Sequence, residues 1–138
     1  MEEKFKIEII SPEKIVFSQD SEMVTLPSYE GDMSILKNHI PIIALLRPGI
    51  IKVKKNIDSY EDFFVEDGIV KFYNDSLSIL STIVIHVKDL SKNYLENISK
   101  RTLDKLNLNS LTDGDKYVLN HKLDTIKSIS VQLKNSIT

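Results

Sequence analysis

The chain has 138 residues, 41% hydrophobic and 28% charged, with a formal net charge of −2. That length suits one or two small soluble domains, and the slightly acidic balance excludes a dedicated nucleic-acid binder, a class that is normally basic. The absence of cysteine removes disulfide frameworks, zinc fingers and thiol nucleophiles together, and fits a reducing compartment.

From the N-terminus, Phe5, Ile7 and Ile9 alternate with Lys4, Lys6 and Glu8, which predicts a strand with one buried face. The opening MEEKFKIEII is acidic and runs straight into that strand pattern, so no secretory or transit peptide is expected. Ser11-Pro12-Glu13 is a turn signal, followed by the apolar run Ile15-Val16-Phe17. The segment from Leu26 to Val53 holds three of the four prolines and two of the four glycines. Pro27 and Pro41 lack an amide donor and are expected at strand starts, edges or turns. Gly31, between Glu30 and Asp32, reads as an exposed turn tip, and Pro48-Gly49 as a turn with glycine in a left-handed conformation. Further short β-type runs are Met23 to Leu26, Ile50 to Val53, Asp62 to Val65, Ile69 to Tyr73, Leu77 with Ile79, and then Ile83 to Ile85, with turns at Asp67-Gly68 and Asn74-Asp75. Short strands at this spacing predict an all-β sandwich or flattened barrel. No apolar run approaches the roughly 20 residues that span a bilayer.

Composition changes near His86 to Leu90. All four prolines, three of four glycines and eight of ten aromatics precede it; Leu, Ile, Lys, Asn and Ser follow. Residues 1–87 hold 9 Lys/Arg against 14 Asp/Glu, whereas residues 88–138 hold 9 against 6, so the two parts carry opposite net charge. Two structural units are expected, 1–87 and 88–138. In the second, Leu90, Tyr94, Ile98 and either Arg101 or Thr102 mark one face of a helix beginning near Asp89. Asn107 to Thr112 is a polar connector, with Thr112 or Asp113 as N-cap of a second helix and Asp115 in its first turn. Leu119, Leu123, Ile126, Leu133 and Ile137, with Ser130 in the series, form its heptad-like seam. The prediction is an antiparallel two-helix hairpin after the β unit.

Leu26-Pro27, Gly31, Ile35-Leu36, His39 with Pro41, and Pro48-Gly49 come at spacings that resemble the epsilon subunit of F-type ATP synthase, the equivalent of the mitochondrial delta subunit. Ser11-Pro12-Glu13 with Val16-Phe17-Ser18 is similar to that family's opening hairpin, and Phe64-Val65 through Gly68, Val70 and Leu77 to Leu80 to its closing strands. Ser28 and Ser34 stand where the family often has glycine, Lys37-Asn38 where it often has Pro-Gly, and Asp67 within a usual glycine pair. These departures concern turn geometry.

The resemblance implies a non-catalytic rotor subunit of the central stalk of a proton-translocating ATP synthase. It implies partners in the gamma subunit and the polar loops of the c-ring, and a place on the cytoplasmic face of a bacterial inner membrane, held only through the complex. The c-ring contact carries over to Glu30, Gly31, Asp32 and His39, whose carboxylates would meet basic residues in charge-assisted hydrogen bonds. Read from the residues alone, the acids are a solvated turn and His39 a structural turn histidine. The family's C-terminal helices also restrain ATP hydrolysis by docking on the alpha/beta subunits. Here that role falls on a basic hairpin face of Lys92, Lys100, Arg101, Lys105, Lys122 and Lys127, expected to act weakly and in a salt-sensitive way. The bland alternative is a solvated lysine-rich surface.

Some bacterial members bind ATP between the helices through an acid followed by arginine and alanine. At the matching Thr112 to Tyr117, Asp113 fits the acid, but Lys116 replaces the bidentate arginine and Tyr117 the small residue, so weak or no ATP binding and no other cofactor is expected. His39, His86 and His121 are too far apart in sequence for a metal-ligand pair. No P-loop or nucleophile motif is present. The rival readings are a small ligand-binding β-barrel and a helical-hairpin adaptor. Neither accounts for the ordered Leu26 to Val53 pattern.

Overall fold

The computed structural model describes residues 3–136. The chain divides into two compact units, Met1–Val87 and Lys88–Thr138.

The first unit contains β1 (Phe5–Ile10), β2 (Ile15–Ser21), β3 (Met23–Ser28), β4 (Gly31–Leu36), β5 (Ile42–Leu46), β6 (Gly49–Asn56), β7 (Ser59–Val65), β8 (Gly68–Tyr73), β9 (Ser76–Leu80) and β10 (Val84–His86). They form one sheet in the order β10-β7-β6-β3-β5-β8-β9-β1-β2, with β4 paired to β3. All pairings are antiparallel except that of β1 with β9. Ser21 Oγ in β2 donates to the Lys54 carbonyl of β6 at 2.7 Å, so the end of the sheet curls back towards its other half. The product is a nearly closed sandwich.

Period-two alternation fills its interior. Phe5, Ile7 and Ile9 of β1, Val24 and Leu26 of β3, Ile51 and Val53 of β6, Val70 and Phe72 of β8, and Leu77 and Ile79 of β9 all join one buried cluster. Phe5 meets Phe72 edge-on at a centroid distance of 5.6 Å, and Phe17 meets Phe63 at 5.1 Å, the geometry that the aromatic quadrupole favours. Asn74 and Asp75 both take positive φ (52° and 57°), the primed turn that matches the twist of the β8–β9 hairpin.

Two expectations about turns need correction. Pro27 lies inside β3 and is buried, because β3 changes partner there: Val24 and Thr25 pair with β6, and Ser28 pairs with β5. The missing donor falls in the gap between two ladders, where the Pro27 carbonyl accepts the Arg47 N–H at 3.0 Å. Gly49 is not left-handed; among the described glycines only Gly31 has positive φ, at 120°. Glycine is required at 49 by close approach, since an added Cβ would lie 2.6 Å from Pro27 Cβ.

In the second unit, Val87–Asp89 is a single 3-10 turn and the first helix, α1 (Lys92–Leu106), starts later than expected, capped by Ser91. Ser91 Oγ accepts the Tyr94 N–H at 3.0 Å. The second helix, α2 (Asp113–Ser136), opens with a reciprocal cap: Asp115 N–H donates to Thr112 Oγ1 at 3.1 Å, and Thr112 N–H to Asp115 Oδ2 at 3.2 Å. Leu95, Ile98 and Thr102 are buried on α1, while Arg101 is exposed. On α2 the buried residues are Leu123, Ile126 and Ile129, with Leu119 and Ser130 half-buried. Ile129 was not in the expected seam; the Leu133 side chain and Ile137 lie outside the described residues. Thr102 hides its hydroxyl by donating to the Ile98 carbonyl at 2.7 Å.

Candidate interaction surfaces

The turn residues expected to form one contact surface occupy two places. Glu30 and Gly31 are exposed at the tip of the β3–β4 hairpin, with Asp32 beside them. Ser28 shapes this tip: its Oγ donates to the Gly31 carbonyl at 2.6 Å and accepts the Glu30 N–H at 3.3 Å. Asp32 Oδ1 takes Arg47 Nη2 at 3.0 Å. His39 lies beyond the other end of β4, a strand of six residues that spans roughly 17 Å at the usual rise. Its Nδ1–H donates to the Ile40 carbonyl at 2.7 Å, and its ring meets Phe72 edge-on at 5.8 Å. The adjacent turn is held by Asn38, at φ 67°, whose N–H donates to Asp75 Oδ1 at 2.8 Å. Thus Glu30, Gly31 and Asp32 form one surface, and His39 belongs to another.

The basic residues of the hairpin do not share a face. At about 100° per residue, Lys100 falls opposite the stripe of Leu95, Ile98 and Thr102; Arg101 and Lys105 flank that stripe on one side and Lys92 on the other. On α2, Lys122 is half-buried beside Leu123, whereas Lys127 is exposed. The hairpin therefore carries its positive charge around its circumference.

One ionic cluster and one hydrogen-bonded turn lie elsewhere on the β unit. Glu61 on β7 bonds Lys55 Nζ at 2.9 Å and faces His86 Nε2 at 3.4 Å. Burial raises the Glu61 pKa, but the hydrogen bond and charge of Lys55, with His86 adding to them, more than reverse this and leave it lowered. At the Asp67-Gly68 turn, Ser81 Oγ donates to the Asp67 carbonyl and Thr82 Oγ1 to Asp67 Oδ1 at 3.0 Å. Among the described residues no group of three His, Cys, Asp or Glu could hold a metal ion. In the segment matched to the ATP motif, Tyr117 meets the His121 ring edge-on, with centroids 4.3 Å apart.

A surface that motif reading missed runs across the outside of the sandwich. Leu45 pairs with Ile69, Ile69 with Leu80, Leu80 with Ile10, and Ile10 with Ile15, so apolar side chains stand in register across β5, β8, β9, β1 and β2. Leu45, Ile69, Leu80 and Ile15 are 48–60% exposed, and Ile43 lies two residues from Leu45 on the same face. Leu45, Ile69, Leu80 and Ile10 of the row also line an open groove of about 620 Å³, together with Pro12 and Tyr29. A contiguous exposed apolar strip of this kind marks an interaction surface rather than an ordinary solvated sheet face. The signal in the sequence was the run Ile-Ile-Ala-Leu-Leu at 42–46, which is apolar on both faces.

The family described as "ATP synthase, Delta/Epsilon chain, beta-sandwich domain" matches residues 4–87. The chain is also 41% identical over 133 residues to the ATP synthase epsilon chain of Pelagibacter ubique (strain HTCC1062), covering 94% of this chain and 100% of that one. The chain belongs to the ATP synthase epsilon chain family. A second epsilon chain, from Parvibaculum lavamentivorans, is 31% identical over 129 residues and aligns with 94% of this chain and 97% of its own length. Among solved structures, a chain of Euglena gracilis mitochondrial ATP synthase (OSCP/F1/c-ring, rotational state 1) superposes with a TM-score of 0.71 at 14% identity, covering 94% of this chain and 81% of that one. A chain of the Tetrahymena thermophila mitochondrial ATP synthase central stalk and c-ring gives 0.61 at 17% identity, covering 95% and 97%. These two likenesses show a shared fold. Within it, no helix among the described residues is long and apolar enough to cross a membrane.

Proposed function

We propose that this epsilon chain is a non-catalytic rotor subunit of the central stalk, docking on gamma through the outer apolar row and reaching the polar loops of the c-ring with the Glu30 tip. The observation that carries the reading is the row itself: five side chains in register across five strands, four of them exposed and Ile10 half-buried, on a sheet whose other face already holds the core. A rotor subunit needs such a face, because torque transmission requires a dry, shape-fixed contact with its shaft. The subunit sits peripherally on the cytoplasmic side of the membrane, held there by the complex. It carries no nucleotide, since Lys116 and Tyr117 occupy the positions that arginine and a small residue would need. The helical unit restrains ATP hydrolysis weakly at the alpha/beta subunits. Its charge is spread around both helices, which supports a loose and salt-sensitive engagement.

The test uses the catalytic complex lacking this subunit. Leu45→Ser with Ile69→Ser removes two exposed apolar side chains at about 1.5 kcal/mol or more each, so binding should fall about a hundredfold while the melting temperature holds. Unchanged binding refutes the docking face. ATP hydrolysis is then compared for the full chain and a truncate ending at Val87. Suppression by the full chain alone places inhibition in the helices, and equal binding without suppression removes the inhibitory role.

A further inference from the structure

The β3–β4 tip contains two acids and, from a distant part of the sequence, one base. Arg47 follows β5, fifteen positions from Asp32. Its side chain is only 18% exposed, against 70% for Asp32, and its guanidinium is committed in three directions. Nε donates to the Ser28 carbonyl at 3.1 Å, Nη1 to the Pro48 carbonyl at 3.4 Å, and Nη2 to Asp32 Oδ1 at 3.0 Å. Its main-chain N–H adds the 3.0 Å bond to the Pro27 carbonyl. Gly49 completes the clamp by packing directly on Pro27. Such a group ties the hairpin tip to the β5–β6 connection and fixes both its shape and its charge.

From these contacts we infer that Arg47 is a positioning residue which makes Asp32 an internal counter-ion and leaves Glu30 as the carboxylate offered to a cationic partner loop. The inference rests on the rotor reading above. An exposed ion pair contributes little to stability, so the consequence lies in the field outside. A cation approaching Asp32 also approaches the guanidinium 3.0 Å from that carboxylate, and the pair acts on it as a dipole. Glu30 carries no ion pair among the described residues and acts as a full negative charge, with the longer reach of a monopole. The tip therefore presents one net negative charge at a fixed place.

The experiment measures binding of the full chain to the assembled gamma–c-ring rotor at low and high ionic strength, with melting temperature as the folding control. Glu30→Gln should weaken binding about tenfold at low salt, an effect that shrinks at high salt, as expected for one charge-assisted contact. Asp32→Asn alone removes the counter-ion and exposes the Arg47 guanidinium, so it should also weaken binding at low salt. Arg47→Gln alone releases Asp32 as a second full negative charge and should strengthen binding several-fold at low salt, whereas Arg47→Lys, which keeps the charge, should leave it unchanged. Asp32→Asn with Arg47→Gln deletes the neutral pair together and should bind within about twofold of wild type, while Glu30→Gln still weakens binding in that background. A double variant that folds but loses as much binding as Glu30→Gln overturns the inference, as does an Arg47→Gln chain that folds and binds no tighter than wild type. If Arg47→Gln does not fold, Glu30→Gln still decides, since unchanged binding at low salt would mean that Glu30 is not the offered carboxylate. A chain that binds the rotor but is indifferent to both acids overturns this inference alone. A wild-type chain that fails to bind overturns the rotor reading beneath it.

Discussion

Replacing Gly49 by alanine adds one methyl group at a position where the structure has no room for it. The new Cβ would lie 2.6 Å from Pro27 Cβ and 2.9 Å from Pro27 Cγ, whereas carbon atoms pack best at roughly 3.5–4.0 Å. The overlap cannot be relieved by a rotamer change, since the proline ring is rigid. Nor is the backbone free to retreat, because Pro27 is paired with Asp32 and its carbonyl is bonded to Arg47. Overpacking of this kind costs about 2 kcal/mol. For a unit of this size each kcal/mol corresponds to about 4–8 °C, so the β unit should melt about 10 °C lower. Calorimetry gives the shift, and following helical ellipticity separately assigns it to one unit, which matters because two units need not unfold together. Gly114→Ala is the control: its nearest neighbour would be Thr112 Oγ1 at 3.8 Å, and alanine there gains about 0.5 kcal/mol of helix propensity. A Gly49→Ala melting temperature within about 2 °C of wild type would refute the close-approach argument.

Glu61→Gln should alter the acid limb of stability. The Glu61 pKa is lowered from its ordinary 4.5 in the fold, so its ionised form stabilises the native state above that value, and the contribution disappears as pH falls through the lowered pKa. Denaturant titrations at several pH values should show wild type more stable at neutral pH and the two curves converging in acid; parallel curves would mean the cluster is energetically idle. Ile79→Ala, at a fully buried site in β9, should cost about 3 kcal/mol by urea unfolding, and a cost under about 1 kcal/mol would show that the sandwich collapses around the gap. Ser91→Ala should destabilise α1 by about 1 kcal/mol, read as earlier loss of helical ellipticity with the β unit unmoved.

The strands with one wet face were legible from alternation, as β1 and β8 illustrate: Phe5, Ile7 and Ile9, or Val70 and Phe72, point inwards and their neighbours outwards. Residues 42–46 gave no period because both faces are apolar, and residues 31–36 are short and flanked by turn residues, so β4 and β5 were not resolved as separate strands. The cap at Thr112 was visible because it is local chemistry. Ser91 was passed over because Leu90 suggested an earlier start, and the 3-10 turn lies between. What sequence cannot reveal is non-local pairing. Arg47 next to Asp32, Gly49 on Pro27, and the five-strand apolar row each depend on register between segments far apart in the chain. Likewise the basic residues of the hairpin could be counted but not arranged until the helix bounds fixed their angles.

The parallel pairing of β1 with β9 sets the order in which this protein can be made. Lys6 lies opposite Ser76 and Ile10 opposite Leu80, so the first strand of this unit to be synthesised waits for nearly the last before it gains its second neighbour. Until then β1 and β2 form an isolated hairpin, marginal in water, with Ile7 and Ile9 uncovered. Closure of so long a loop is slow compared with local hairpin and helix formation. The β unit therefore completes late and in one step, while the two helices, each built from local contacts, follow quickly once their residues emerge.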